Sequence, residues 1–220
     1  MLKALIIGDS SSLSRESILF NNTYYAGLKK EIDIENSAIT NNTSYKIYTN
    51  LESFMLYGYR PNTVILNYGI VDVYPRPYPN IIYKLLSCSG LLSKVDTFLK
   101  KTSLYYKLGN VFKFKEVKIN SFESYSEGII KKLLEKKVEN IIIIGIIKPY
   151  RVLLKSSIID NEVVLYNNVF QKLTKKYANV SYIDIYNDSD ENFTIWDGYH
   201  YSEKASNYLV TKIKQIIFND

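Results

Sequence analysis

One histidine is present in this chain, His200, in the run Trp196-Asp197-Gly198-Tyr199-His200. A serine, Ser10, stands in Gly8-Asp9-Ser10, directly behind the first apolar run Leu5-Ile6-Ile7. A serine hydroxyl is a poor nucleophile at neutral pH and needs a general base, usually a histidine oriented by a carboxylate. Ser10, His200 and Asp197 are those three residue types, and with one imidazole available the base has no competitor. Each motif alone has a plainer reading. Gly-Asp-Ser after a strand is a common turn, because Gly permits positive φ while Asp and Ser bond nearby backbone. Asp-x-x-His is often a turn before a helix that carries a surface histidine. Found together, at the two ends of one alternating pattern, they point to catalysis. Ser11, Ser12 and Ser14 read as hydroxyls that bond backbone at the start of the following helix, and Asp9 and Asp72 as residues that orient loops.

The elements that must position these groups alternate strand and helix. Residues 2–7 predict a buried strand, 15–30 a helix, 32–34 a weak second strand and 36–44 a polar loop. A short helix over 51–57 and a β-rich run at 63–68 follow. Ser121 predicts an N-cap for a helix through 137. Ile141 to Ile147 predicts an apolar central strand. A helix near 162–177, a strand at 180–185 and a helix near 202–218 complete the pattern. Such alternation predicts a parallel α/β sheet covered on both faces. In these sheets ligands bind outside the carboxyl ends of the strands. The segments after strands one, two and three, and the segment before the last helix, all reach that edge.

A chain of 220 residues with 46% hydrophobic and 23% charged content predicts one globular domain, residues 1–220, with a basic, mainly helical insertion at about 78–116. The single cysteine, Cys88, rules out an internal disulfide, and one histidine with one cysteine builds no zinc site. No cofactor or metal is expected. The N-terminus lacks the form of a signal peptide, and the longest apolar run is too short for a bilayer span. The expectation is therefore a soluble cytoplasmic protein. The net charge of +6 lies wholly in 81–120, where eight lysines face only Asp96 and Glu116. Apolar and aromatic residues interleave those lysines. Two readings fit: a lid resting peripherally on an anionic membrane at the inner face, or a helical insertion with its apolar face on the core. Lysine-rich helices alone carry no groove-reading motif, so nucleic acid is not an expected partner. Nothing in the sequence specifies an oligomeric state.

Gly8-Asp9-Ser10 and Asp197-Gly198-Tyr199-His200 resemble the first and last blocks of the SGNH, or GDSL-type, hydrolases. Gly69-Ile70-Val71-Asp72 followed by Pro75-Arg76 is similar to a bacterial branch with a G-I-V-D-x-x-P-R signature, often associated with surface-polysaccharide gene clusters. The resemblance implies a three-layer α/β/α flavodoxin-like fold with a central parallel sheet. It also implies esterase or acylhydrolase activity, with Ser10 as nucleophile, His200 as base and Asp197 as its orienter. It implies an oxyanion site built on the Ser10 backbone N–H, and here the chain departs from the family. The glycine of the second block is absent, Ala38 being the best match. Val71 stands where the third block has an asparagine, and a lost oxyanion donor costs about 10²–10³ in rate. Asn67 shares a strand face with Val71, and Arg76 is a further candidate for contact with the oxyanion or an anionic substrate. Gly69 completes this candidate set. Arg76 also has the reading of a surface salt bridge, and Asn67 that of a loop cap. Trp196 and Tyr199 either pack the motif turn or face a sugar.

The expected reaction is removal of an O-acyl group, acetyl foremost, from a small-molecule or glycan ester. O-acyl transfer to a sugar is the close rival, since both pass through an acyl-serine. A non-catalytic reading stays beside them. Ser10-Ser11-Ser12 at a helix N-terminus would cradle a phosphate or flavin, and the Val71 change is compatible with a degenerate hydrolase that binds without turnover.

Overall fold

The computed structural model describes residues 2–218 except 16, 56, 57, 102, 103, 154, 155 and 157, and the side chains of 80, 84, 87, 100 and 101 are likewise not described. Strands β1 (Lys3–Gly8), β2 (Asp33–Asn36), β3 (Thr63–Asn67), β4 (Asn140–Ile144) and β5 (Val180–Ile183) form one sheet in the order β2-β1-β3-β4-β5. Every pairing is parallel. This is the doubly wound, flavodoxin-like order, with its reversal between β1 and β3.

The helices are α1 (Tyr24–Lys29), α2 (Ser44–Thr49), α3 (Leu51–Phe54), α4 (Ile70–Val73), α5 (Asn80–Cys88), α6 (Leu92–Lys101), α7 (Leu104–Phe112), α8 (Ile119–Glu135), α9 (Tyr150–Leu153), α10 (Ile159–Lys176), α11 (Ile185–Asp188) and α12 (Glu203–Phe218). Alternate strand residues divide between two cores, as a period of two requires. Leu5, Ile7, Val64, Leu66, Ile141 and Ile143 pack with α8 and α10. Ala4, Ile6, Ile65, Ile142 and Ile144 pack with α1 and α12. The three-layer α/β/α arrangement follows.

Several expected elements differ. The helix expected over 15–30 forms only at Tyr24–Lys29. Before it come two three-residue 3₁₀ turns, and Arg15 and Ile18 exchange backbone hydrogen bonds at 3.0 and 2.9 Å. Thr23 is the N-cap of α1, its hydroxyl accepting from the Ala26 N–H, so the helix starts there and not upstream. The loop expected at 36–44 ends in α2, capped by Thr43. The helix expected over 51–57 is formed at Leu51–Phe54; Leu56 and Tyr57 lie outside the described residues. α8 starts at Ile119 with Lys118 at its N-cap, so Ser121 is inside the helix rather than at its start. β4 stops at Ile144, after which Asn167 takes the Ile146 N–H at 2.7 Å.

Between β3 and β4 the chain makes an excursion through α5, α6 and α7. Its neck is an antiparallel bridge between Arg76 and Phe114. Ile81, Leu85, Phe98 and Val111 are exposed on it, the first 69% and the last 71%. The apolar side chains therefore do not all face the core, as one reading expected. Tyr106 does pack against the core. Among the described residues, no helix is long and apolar enough to cross a membrane.

Candidate active site

Ser10 stands one residue past the Gly8-Asp9 end of β1. A Cβ on Gly8 would lie 2.3 Å from the Asn67 carbonyl oxygen, so glycine lets β1 and β3 approach closely where the site begins. The Asp9 N–H donates to that same carbonyl at 2.9 Å. The other half of the site is a tight hairpin. Thr194 and Tyr201 bridge antiparallel, and the Ile195 N–H donates to the His200 carbonyl at 2.9 Å. Gly198 makes the reversal at φ +86°, and a Cβ there would meet the Arg151 side chain at 2.8 Å. Both reasons demand glycine.

The hairpin delivers Asp197 and His200 to Ser10. The Ser10 Oγ lies 2.9 Å from His200 Nε2, and His200 Nδ1 lies 2.6 Å from Asp197 Oδ2. Asp197 Oδ1 accepts the backbone N–H groups of Tyr199 and His200, each at 3.1 Å. Burial works against the Asp197 charge, but the imidazole and the two backbone donors outweigh it and hold the carboxyl below its usual range. The carboxylate fixes the Nδ1–H tautomer and leaves the Nε2 lone pair towards the serine. Ser10 and His200 are each 7% exposed. The Tyr199 ring lies tilted against the imidazole, centroids 4.7 Å apart, and meets Tyr74 edge-on at 5.6 Å.

These groups open into a cavity of about 940 Å³. Ser10, His200 and Asp197 line it, with Arg15, Thr40, Asn41, Val71 and Arg76, and with aromatic walls from Tyr74, Tyr105, Tyr106, Trp196 and Tyr199. Trp196, 73% exposed, stands at the rim.

The expected oxyanion residues are distributed differently. The Ala38 N–H donates to Asn36 Oδ1 at 3.0 Å, so it is already used, and Ala38 does not line the cavity. Asn67 is buried behind the serine turn. Its amide donates to Ser12 Oγ and Tyr24 Oη at 2.8 and 3.2 Å, and its Oδ1 accepts from Tyr201 at 3.0 Å. It ties β1, β3 and the last segment together and has no capacity left for an oxyanion. Gly69 is a turn residue at φ +118° packed on Ile146, outside the cavity lining. Arg76 does line the cavity, but its guanidinium pairs with Glu116 and lies 4.3 Å over the Tyr83 ring.

Sequence reasoning missed Asn41 and Arg15. Asn41 has φ +56°, a conformation in which asparagine is the usual substitute for glycine. The Asn41-Asn42 pair in the polar loop was its available signal, and Asn42 holds the loop by donating to the Gly8 carbonyl at 3.0 Å. Arg15 was hidden inside the expected helix.

The remaining motif residues bond within the protein. Ser12 Oγ is engaged with Tyr24 at 2.6 Å. Asp72 accepts from the Ser44 hydroxyl at 2.6 Å and tethers α4 to α2. Burial pushes Asp9 up to about 6 and Asp72 up to about 7. The phosphate-cradling alternative needs a helix beginning at the serines; Ser10–Ser12 is instead a single 3₁₀ turn, so that cradle is not formed.

No protein-family model matches the sequence, and no curated protein matches it significantly. Solved structures do match the fold. A lipase/acylhydrolase from Enterococcus faecalis superposes with a TM-score of 0.66 at 16% identity, covering 99% of this chain and 95% of that one. An acetyl xylan esterase, AlAXEase, gives a TM-score of 0.67 at 16% identity, with coverage of 98% and 100%. A member of the lipolytic G-D-S-L family from Veillonella parvula gives 0.65 at 11% identity, covering 98% of each chain. The chain has the α/β/α fold of these GDSL-type structures.

Proposed function

We propose that this chain is an SGNH-type serine esterase that removes O-acyl groups, acetyl foremost, from a carbohydrate. The observation that carries the reading is the continuous Asp197–His200–Ser10 relay, 2.6 and 2.9 Å long, opening into an aromatic-walled cavity. The esterase and acylhydrolase names of the structural neighbours support it.

In this reading Ser10 Oγ attacks the ester carbonyl carbon while His200 Nε2 takes the hydroxyl proton. The imidazolium, stabilised by Asp197, then protonates the leaving sugar oxygen as the carbon–oxygen bond breaks. Water, deprotonated by the same Nε2, releases the acyl group from Ser10. The Ser10 backbone N–H and the Asn41 amide are the oxyanion donors, since Val71 has none to offer. Tyr74, Tyr105, Tyr106 and Trp196 offer flat apolar faces with polar tips that suit a sugar ring. The exposed apolar residues of α5–α7, set in the lysine-rich segment, rest peripherally on an anionic membrane.

Fluorophosphonate labelling combined with turnover of an aryl acetate tests the chemistry. Wild type should label and turn over, and Ser10→Ala should lose both, with kcat down by about 10⁴–10⁶. Labelling that persists in Ser10→Ala overturns the nucleophile. Addition of a sugar acceptor separates hydrolysis from transfer, because an acyltransferase would form acyl-sugar in preference to free acid.

A further inference from the structure

The cavity contains a positive charge that ester hydrolysis as such does not require. Arg15 is held at its backbone by the two hydrogen bonds with Ile18, and its guanidinium reaches the catalytic base. Arg15 Nη2 lies 2.8 Å from His200 Nε2, the same nitrogen that Ser10 Oγ approaches at 2.9 Å. Arg15 Nε is enclosed and makes no hydrogen bond. Asp9 acts on this charge electrostatically, yet its carboxylate is bonded to the Ser11 N–H. Among the described residues no carboxylate forms an ion pair with Arg15. The other arginine of the cavity, Arg76, is neutralised by Glu116.

A guanidinium is always charged, weakly hydrated, and shaped to take a carboxylate or phosphate through two parallel N–H bonds. Its position also fixes which part of an ester it faces. The base Nε2 protonates the leaving oxygen, so a group beside Nε2 faces the alcohol side of the substrate. Resting on the proposed ester hydrolysis, we infer that Arg15 binds an anionic group on the alcohol portion. The preferred substrates are then acylated acidic sugars, carrying a carboxylate or phosphate, rather than neutral ones.

The arrangement has a kinetic corollary. In the free protein an Arg15 N–H and the Ser10 hydroxyl compete for one lone pair on His200. An anion that draws the guanidinium away leaves that lone pair to the serine proton. The benefit of the anionic group therefore appears in kcat as well as in KM.

The test compares three acetylated probes: a methyl glucoside, a glucuronate and a glucose phosphate. Fluorophosphonate labelling of Ser10 is measured first on wild type and Arg15→Gln. In wild type the anionic probes should exceed the neutral one in kcat/KM by about 10–100-fold, the range of a hydrogen bond to a charged group, with a gain in kcat. Arg15→Gln should bring the ratio close to one, and Arg15→Lys should recover part of it. Preference for glucuronate alone or glucose phosphate alone identifies which anion the site takes. A labelled wild type with equal kcat/KM on all three probes overturns the Arg15 assignment and leaves the esterase standing, as does a preference unchanged in Arg15→Gln. A wild type that does not label overturns the esterase itself.

Discussion

The carboxyl edge of the sheet and the excursion through α5–α7 are built on opposite terms. At the sheet edge a set of polar side chains is buried and bonded together. Asp72 holds Ser44, Asn67 spends its whole amide on Ser12, Tyr24 and Tyr201, and Asp197 accepts three donors. On the excursion apolar side chains such as Ile81, Leu85 and Phe98 face outward. A buried polar network fixes geometry, because each lost partner strands a desolvated group. An exposed apolar surface contributes nothing to that geometry and gains only when something covers it. The proposed chemistry and the proposed membrane contact therefore rest on separate parts of the molecule.

Asp197→Asn breaks the first term most sharply. It keeps the shape of the hairpin but presents an amide to His200 Nδ1 and favours the wrong tautomer. Aryl acetate turnover should fall by about 10³–10⁴, with far-UV circular dichroism unchanged. Activity within tenfold of wild type would contradict the relay.

Replacing Lys94, Lys107 and Lys113 by Gln probes the second. Each lysine near an anionic surface contributes about 1 kcal/mol, so partitioning onto phosphatidylserine vesicles at low salt should drop by about 100-fold, with aryl acetate hydrolysis unchanged. Wild type that stays in solution with such vesicles would remove the membrane from the account. Lys84, Lys100 and Lys101, which share the charge of this segment, have side chains outside the described residues.

The smallest effect concerns the cost of the polar network. Burial raises Asp72 to about 7 from an ordinary 3.8, so the folded protein binds that proton more tightly than the unfolded chain. Its contribution to stability is complete below about pH 4 and is lost as pH rises through 7. Asp9, raised to about 6, acts in the same direction. Asp72→Asn should therefore lose less stability than wild type between pH 5 and 8, by on the order of 2 kcal/mol in urea titrations. Parallel pH dependence in the two proteins would show that Asp72 is not the source.

The sheet was legible because the continuous apolar runs at 3–8, 63–67 and 140–144, separated by stretches of helical spacing, are a one-dimensional signal. Ser10, Asp197 and His200 were legible because the chain has a single histidine, with an Asp three residues before it and a serine directly behind the first strand. Ala38 and Asn67 misled because their roles depend on which hydrogen bonds are already taken. The side chain that occupies Ala38's N–H is two residues away, and Asn67's partners come from three distant segments. Arg15 was obscured by apolar spacing compatible with a helix over 15–30, whereas the helix begins only after the Thr23 cap. Asn41 was passed over because its left-handed backbone has no marker beyond its residue type.

The base and its carboxylate are three residues apart on one hairpin, whereas the nucleophile they serve is 190 residues away. A chain leaving the ribosome thus presents Ser10 early and carries it, without a base, through the whole interval until His200 emerges and docks. With Ser10 as the proposed nucleophile, each polypeptide would be a dormant acyl acceptor until the 194–201 hairpin has docked. Reactivity at Ser10 would then be a clock for the docking of that hairpin, readable by timed labelling during refolding without any optical probe.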